Sequence, residues 1–147
     1  MAKLNIVGQI FSTSGYSLHT TKLSEALSKD HDVKLSVGLP QGWEKMVNDQ
    51  KLEMIRKPDS QDRTNIIIDL PYTWGYHSDK KNNIGFLIWE GDRIPESWIK
   101  YLLDERIKQI WIPSNHLLSA ILFSCELANV STEKIQKKIR KVPHGVD

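Results

Sequence analysis

The chain has 147 residues, 39% hydrophobic and 26% charged, with 20 basic against 18 acidic side chains for a net charge of +2. That length supports one domain with a full core, and the composition is that of an ordinary globular protein. So small a positive excess, with lysines spread along the chain, gives no footprint for nucleic acid, and no run nears the roughly 20 apolar residues that span a bilayer.

Strand and helix signals alternate from the start. Residues 3–11, KLNIVGQIF, are a short apolar run that predicts a strand, without the long apolar region and cleavage site of a signal peptide. Residues 15–30 carry Tyr16, Leu23 and Leu27, with Ala26 beside them, at helical spacing. Residues 31–39 read as the second strand. The stretch 40–63 is ambiguous: WEKMVND (43–49) suggests a helical turn and LEMI (52–55) a short strand. Residues 65–71, NIIIDLP, are nearly all apolar and β-branched, which suits a parallel strand covered on both faces. Residues 71–83, PYTWGYHSDKKNN, read as a polar loop with three aromatics, of a length that is often functional.

Residues 83–90, NIGFLIWE, predict another strand. Residues 95–105 predict a helix with Pro95 at its first position and Trp98, Tyr101 and Leu102 on one side. Residues 107–113 form a strand, 114–130 an apolar helix, and 138–143, KIRKVP, a last strand. The basic stretch KIQKKIRK (134–141) reads as a solvated helix face leading into that strand; contact with anionic lipid is the lesser alternative. Cys125, the single cysteine, excludes an internal disulfide, fits a reducing cytoplasm and lies in an apolar helical run as a buried thiol. Strands alternating with helices predict an α/β fold: a Rossmann-like, doubly wound, mostly parallel sheet flanked by helices, in one domain over residues 1–147.

In such a sheet, ligands bind beyond the carboxyl ends of the strands. Those ends carry STSGYS (12–17), Asp69 with PYTWGYH, WEGDR (89–93), Ser114 and PHGVD (143–147). STSGYS offers two readings. Either Gly15 lets a phosphate approach the backbone N–H groups of a helix N-terminus, or the segment is only an N-cap and tight turn. WEGDR places Glu90 and Asp92 near Arg93, as hydrogen-bond acceptors for sugar hydroxyls and proton-transfer groups, or as an exposed acidic loop with an internal ion pair. His19 lies one turn into the first helix, facing cleft or solvent, and His116 in the first turn of a later one. The five histidines show no metal spacing, so no metal site is expected. Neither a dinucleotide fingerprint, a P-loop nor G-x-S-x-G occurs.

Three blocks, SGYSLHTTKLSEAL, FLIWEGDRIPESWIKYLLDERIKQIWIPSNHLLSAIL and KIRKVPHGVD, follow in order. Together they resemble the N-terminal, acceptor-side half of a family 4, glycogen-synthase-like glycosyltransferase of the GT-B fold. The WIPSN and VPHGVD pair is the more specific part of the likeness, and residues 31–63 contribute little. The resemblance implies retaining, metal-independent transfer of a sugar from a nucleotide-sugar donor, with no other cofactor. The acceptor would be a glycan, lipid-linked or small molecule. It implies that Gly15 sits beside the donor diphosphate with Tyr16 in the same turn. Trp89 and Glu90 would stand where acceptor and transferred sugar meet, with His19, Asp92 and Ser114 on the same side. Residues 143–147, including His144, Gly145 and Asp147, would be the hinge to a C-terminal donor-binding domain. That domain's E-x7-E motif is not in this chain, where no two glutamates lie eight apart. The 147 residues alone are therefore expected to be inactive, in a protein of the cytoplasm or the cytoplasmic membrane face. Where many family members put a histidine near the end of the strand predicted over 83–90, this chain has WEGD. Two other readings stand beside this one: a stand-alone α/β domain binding a nucleotide or small ligand, and an interaction module using the aromatic loop around Trp74 and Tyr76.

Overall fold

The computed structural model describes residues 1–143. Six strands, β1 (Lys3–Gly8), β2 (Asp32–Val37), β3 (Thr64–Ile68), β4 (Asn83–Phe86), β5 (Ile107–Ile112) and β6 (Ile139–Lys141), form one sheet in the order β2-β1-β3-β4-β5-β6. Every pairing is parallel. Helices flank it: α1 (Gly15–Leu27), α2 (Asp49–Arg56), α3 (Ile99–Leu102), α4 (Asn115–Leu127) and α5 (Glu133–Lys138). The expected α/β architecture is the one observed, and its strand order reverses at the β1/β3 boundary.

Strand alternation sorts the core into two clusters. Leu4, Ile6, Val33, Leu35, Ile66, Ile68 and Phe86 share one face with Met54 and Ile55 of α2 and with Leu23 and Leu27 of α1. Ile67, Ile110 and Ile112 point the other way, against Trp98 and α3, Leu117 and Ile121 of α4, and Ile135 of α5. Close approach of α1 to β1 needs Gly8, since a Cβ there would lie 2.6 Å from Thr20 Oγ1. Gly85 serves the second face in the same way: a Cβ would meet the Trp74 ring at 2.6 Å.

Five local expectations are corrected. LEMI is part of α2, not a strand. Asn48 caps this helix by accepting from Lys51 N at 2.9 Å, and Met54 and Ile55 are its buried side. The segment after β3 is not irregular, because Pro71–His77 forms a 3-10 helix that turns Trp74 inward to 1% exposure. The helix expected over 95–105 divides into a 3-10 turn, Glu96–Trp98, and the single α-helical turn of α3. The strands expected over 3–11 and 83–90 end at Gly8 and Phe86, so the residues beyond them become rim loops. Within the basic stretch, Lys138 Nζ donates to Leu102 O and Asp104 O at 2.9 and 2.8 Å, so one of its charges secures the end of α3. No helix among the described residues is long and apolar enough to cross a membrane.

Candidate functional site

The rim at the carboxyl ends of β1, β3 and β4 is built by three loops. The first, after β1, runs into α1. Ser14 caps that helix, its Oγ accepting from Ser17 N at 3.3 Å. Ser12 reinforces the turn, with its Oγ 2.8 Å from Ser14 Oγ and 2.6 Å from Ser17 Oγ. The first-turn N–H groups of α1 and its dipole therefore meet solvent behind a collar of hydroxyls. Gly15 is exposed there, and a Cβ built on it would find nothing within 4 Å. Its φ is not positive, unlike that of Gly42 at 73°. Packing and backbone geometry thus leave the choice of glycine at position 15 unexplained.

The third loop is tied to the first by Tyr16, and the second adds the nearby charge of Asp69. The Tyr16 hydroxyl donates to Ile88 O at 2.6 Å, joining α1 to the loop after β4. Burial, then the neighbouring Asp69 carboxylate and Tyr72, push the Tyr16 phenol up to about 12, so it stays a donor across the neutral range. In the third loop, Trp89 Nε1 donates to Arg93 O at 2.8 Å and the ring stands edge-on to Trp98, centroids 4.9 Å apart. Gly91 permits this fold-back, because a Cβ there would lie 2.6 Å from Trp89 Nε1.

These ties produce a cleft of about 450 Å³ lined by Gly15, Tyr16, Leu70, Ile88, Trp89, Glu90 and Gly91. Glu90 is exposed at its edge. Four of the residues singled out in the sequence, Gly15, Tyr16, Trp89 and Glu90, thus meet around one space. The others do not join them. His19 is 9% exposed, packs edge-on against Phe86 at 4.5 Å, and lines a neighbouring groove with Lys22, Val142 and Pro143. Gly15 borders both spaces. Asp92 stands out in solvent, its side chain 96% exposed, with His116 Nε2 3.6 Å away. The internal ion pair of WEGDR does not form: Arg93 lies over the Phe123 ring at 5.9 Å instead. Ser114 is half-buried and caps α4, its Oγ accepting from Leu117 N at 3.2 Å, and it lines neither space. His144, Gly145 and Asp147 lie outside the described residues.

Two features were not singled out in the sequence. Leu70, which closes the floor beside Tyr16, carries no distinctive chemistry. Asp69 reads in the sequence only as a strand-end residue, whereas in the structure its charge bears on the Tyr16 phenol. No group of three or more His, Cys, Asp or Glu side chains among the described residues is placed to hold a metal ion. Trp74, half of the aromatic-loop surface considered above, belongs to the core, while Tyr76 remains 85% exposed. Compared with protein-family models, curated proteins and solved structures, the chain matches none.

Proposed function

We propose that this domain is the acceptor-side half of a retaining glycosyltransferase that uses a nucleotide-sugar donor. The observation that carries the reading is the convergence of Gly15, Tyr16, Trp89 and Glu90 on the rim cleft, beside the N-terminus of α1. Transfer of a glycosyl group breaks the bond between the anomeric carbon and the diphosphate, and negative charge grows on the leaving oxygen. Unpaired N–H groups at a helix N-terminus stabilise such charge without a metal, and the bare Gly15 gives a phosphoryl oxygen room to reach them. Glu90 accepts hydrogen bonds from acceptor or sugar hydroxyls, and the Trp89 face offers an apolar wall for a sugar ring. Tyr16 acts as a positioning residue, since its bond to Ile88 O fixes the loop that presents both. A second lobe, carrying the basic side chains and the E-x7-E glutamates, would close over this rim and exclude water.

The test is a titration of the chain with candidate acceptors, followed by amide NMR in wild type and Glu90→Ala. The proposal expects weak acceptor binding, with shifts at Glu90, Trp89 and Tyr16, that the substitution weakens at least about tenfold. Binding that Glu90→Ala leaves unaltered would overturn the assignment of the rim cleft.

A further inference from the structure

We propose a second binding site, for a non-anionic saccharide unit, on the face of the sheet opposite α1 and α2. The register puts Lys34, Asn5, Asn65 and Asn83 in one row across four adjacent strands. A parallel sheet covered by helices on both faces reads apolar in such a row. Here the three asparagines are 5%, 0% and 0% exposed, and each buried amide is costly unless hydrogen-bonded.

The bonds form a ladder. Ser36 Oγ donates to Asn5 Oδ1 at 2.6 Å and Asn5 Nδ2 to Asn65 Oδ1 at 2.9 Å. Asn65 Nδ2 lies 3.0 Å from Asn83 Oδ1, and it also reaches His77 O and Asp79 Oδ1 at 2.6 and 2.8 Å. At the inner end, then, the amides fasten the turn that follows the 3-10 helix. At the outer end they are not used up. Asn5 spends one of its two amide hydrogens, Ser36 keeps its lone pairs, and both side chains line a cleft of about 620 Å³.

No α-helix contributes to the walls of that cleft; Asp59, Asp69, Asp79, Tyr76 and His77 do. Lys80, its side chain 1% exposed, holds Asp59 at 2.6 Å and Asp79 at 3.5 Å from behind. Lys34 Nζ is engaged by Ile55 O and Lys57 O at 2.9 and 2.7 Å, although its charge still acts on Asp59. Asp69 Oδ1 accepts from Leu70 N at 2.7 Å, which leaves Oδ2 for a ligand. The cleft thus presents fixed carboxylate acceptors, amide and hydroxyl groups, and the exposed Tyr76 ring. Vicinal hydroxyls of a pyranose donate to carboxylates and accept from amides, while its C–H face lies on an aromatic ring. Three carboxylates against two ammonium groups, Lys80 and the more distant Lys34, still leave a net negative charge that disfavours a phosphate or a sugar acid. A covering helix is disfavoured too, because its apolar stripe would leave Asn5, Ser36 and Asp69 without partners.

The site is separate from the rim cleft: Asp69 faces one and Leu70 the other. It stands on this face alone and does not rest on the transferase reading. The test is NMR titration of the full chain with glucose, galactose, mannose and N-acetylglucosamine, each beside its 6-phosphate, to about 100 mM. At least one neutral sugar is expected to shift the Asn5 side-chain amide and Tyr76, with its phosphate binding more weakly. Tyr76→Ala, at an exposed position that cannot unfold the core, and Asp69→Asn are each expected to weaken binding about fivefold or more. Glu90→Ala, which disables the rim, leaves the shifts in place, so the two sites fail or stand separately. Absence of any shift, shifts unchanged in Tyr76→Ala, or phosphates that bind as well as the neutral sugars would overturn the proposal.

Discussion

Replacing Gly15 by alanine separates the demands of the fold from those of the site. The added methyl meets no atom within 4 Å, and the backbone there has no positive φ to forbid a side chain. Alanine also narrows the unfolded ensemble, worth about 0.4–1 kcal/mol when the native conformation accepts it. Gly15→Ala is therefore expected to leave stability unchanged or raise it by about 0.5 kcal/mol, a Tm increase of roughly 1–2 °C for a chain this long. Function should move the other way. The methyl stands where a phosphoryl oxygen would approach the first N–H groups of α1, and one lost charge-assisted hydrogen bond costs about 1.5–3 kcal/mol. That is a fall in kcat/KM of roughly 10- to 150-fold for nucleotide sugar. The assays are calorimetric unfolding of the chain and donor turnover by this domain together with the proposed second lobe. A Gly15→Ala protein destabilised by more than about 1 kcal/mol, or one with undiminished kcat/KM, would refute the reasoning.

Tyr16→Phe removes the bond to half-buried Ile88 O, with an expected loss of about 1 kcal/mol in urea unfolding. The same variant abolishes the latest step in the tyrosinate absorbance titration. Because the folded phenol is raised to about 12, its contribution is intact below the unfolded value of 10.0 and is lost as pH rises through about 12; a late step that persists in the variant contradicts this. Gly85→Ala drives a methyl into the Trp74 ring and is expected to cost about 1–3 kcal/mol and to alter tryptophan fluorescence; a neutral result would mean that the ring is not fixed there. Hydrogen bonds from Lys57 to Asp32, from Lys80 to Asp59 and from Arg106 to Asp104 hold these carboxyls below the usual carboxylate range. Depressed carboxyl values contribute stability above the unfolded value, lost as pH falls through the folded ones, so Tm is expected to fall steeply only below about pH 4. A decline that begins above pH 6 would point to other groups.

Much of the fold was legible because its signals are local. The β-branched run at 66–68 and the apolar runs at 107–112 and 3–8 announce strands, and serines at 14 and 114 stand at the starts of helices they do cap. LEMI misled because four residues fit either period. The cap at Asn48, with Asp49 in the first turn and Arg56 in the last, was the signal that favoured a helix. The apolar run 83–90 outlasts its strand because Leu87 and Ile88 stay apolar after the pairing ends, and only the sheet partner shows where the loop leaves. Glycine at position 15 was legible as a choice, but the empty space around it was not. The asparagine row was invisible for a different reason: Asn5, Asn65 and Asn83 are 60 and 18 residues apart, and only the strand register makes them neighbours.

The most direct measurement is sugar transfer from a panel of nucleotide sugars by this domain together with the proposed second lobe, wild type beside Glu90→Ala, with residues 1–147 assayed alone. The account predicts transfer without added metal by the wild type, a loss of at least about 100-fold in Glu90→Ala, and no turnover by the 147 residues. Consumption of no nucleotide sugar by the wild type, or equal rates in wild type and Glu90→Ala, would contradict it.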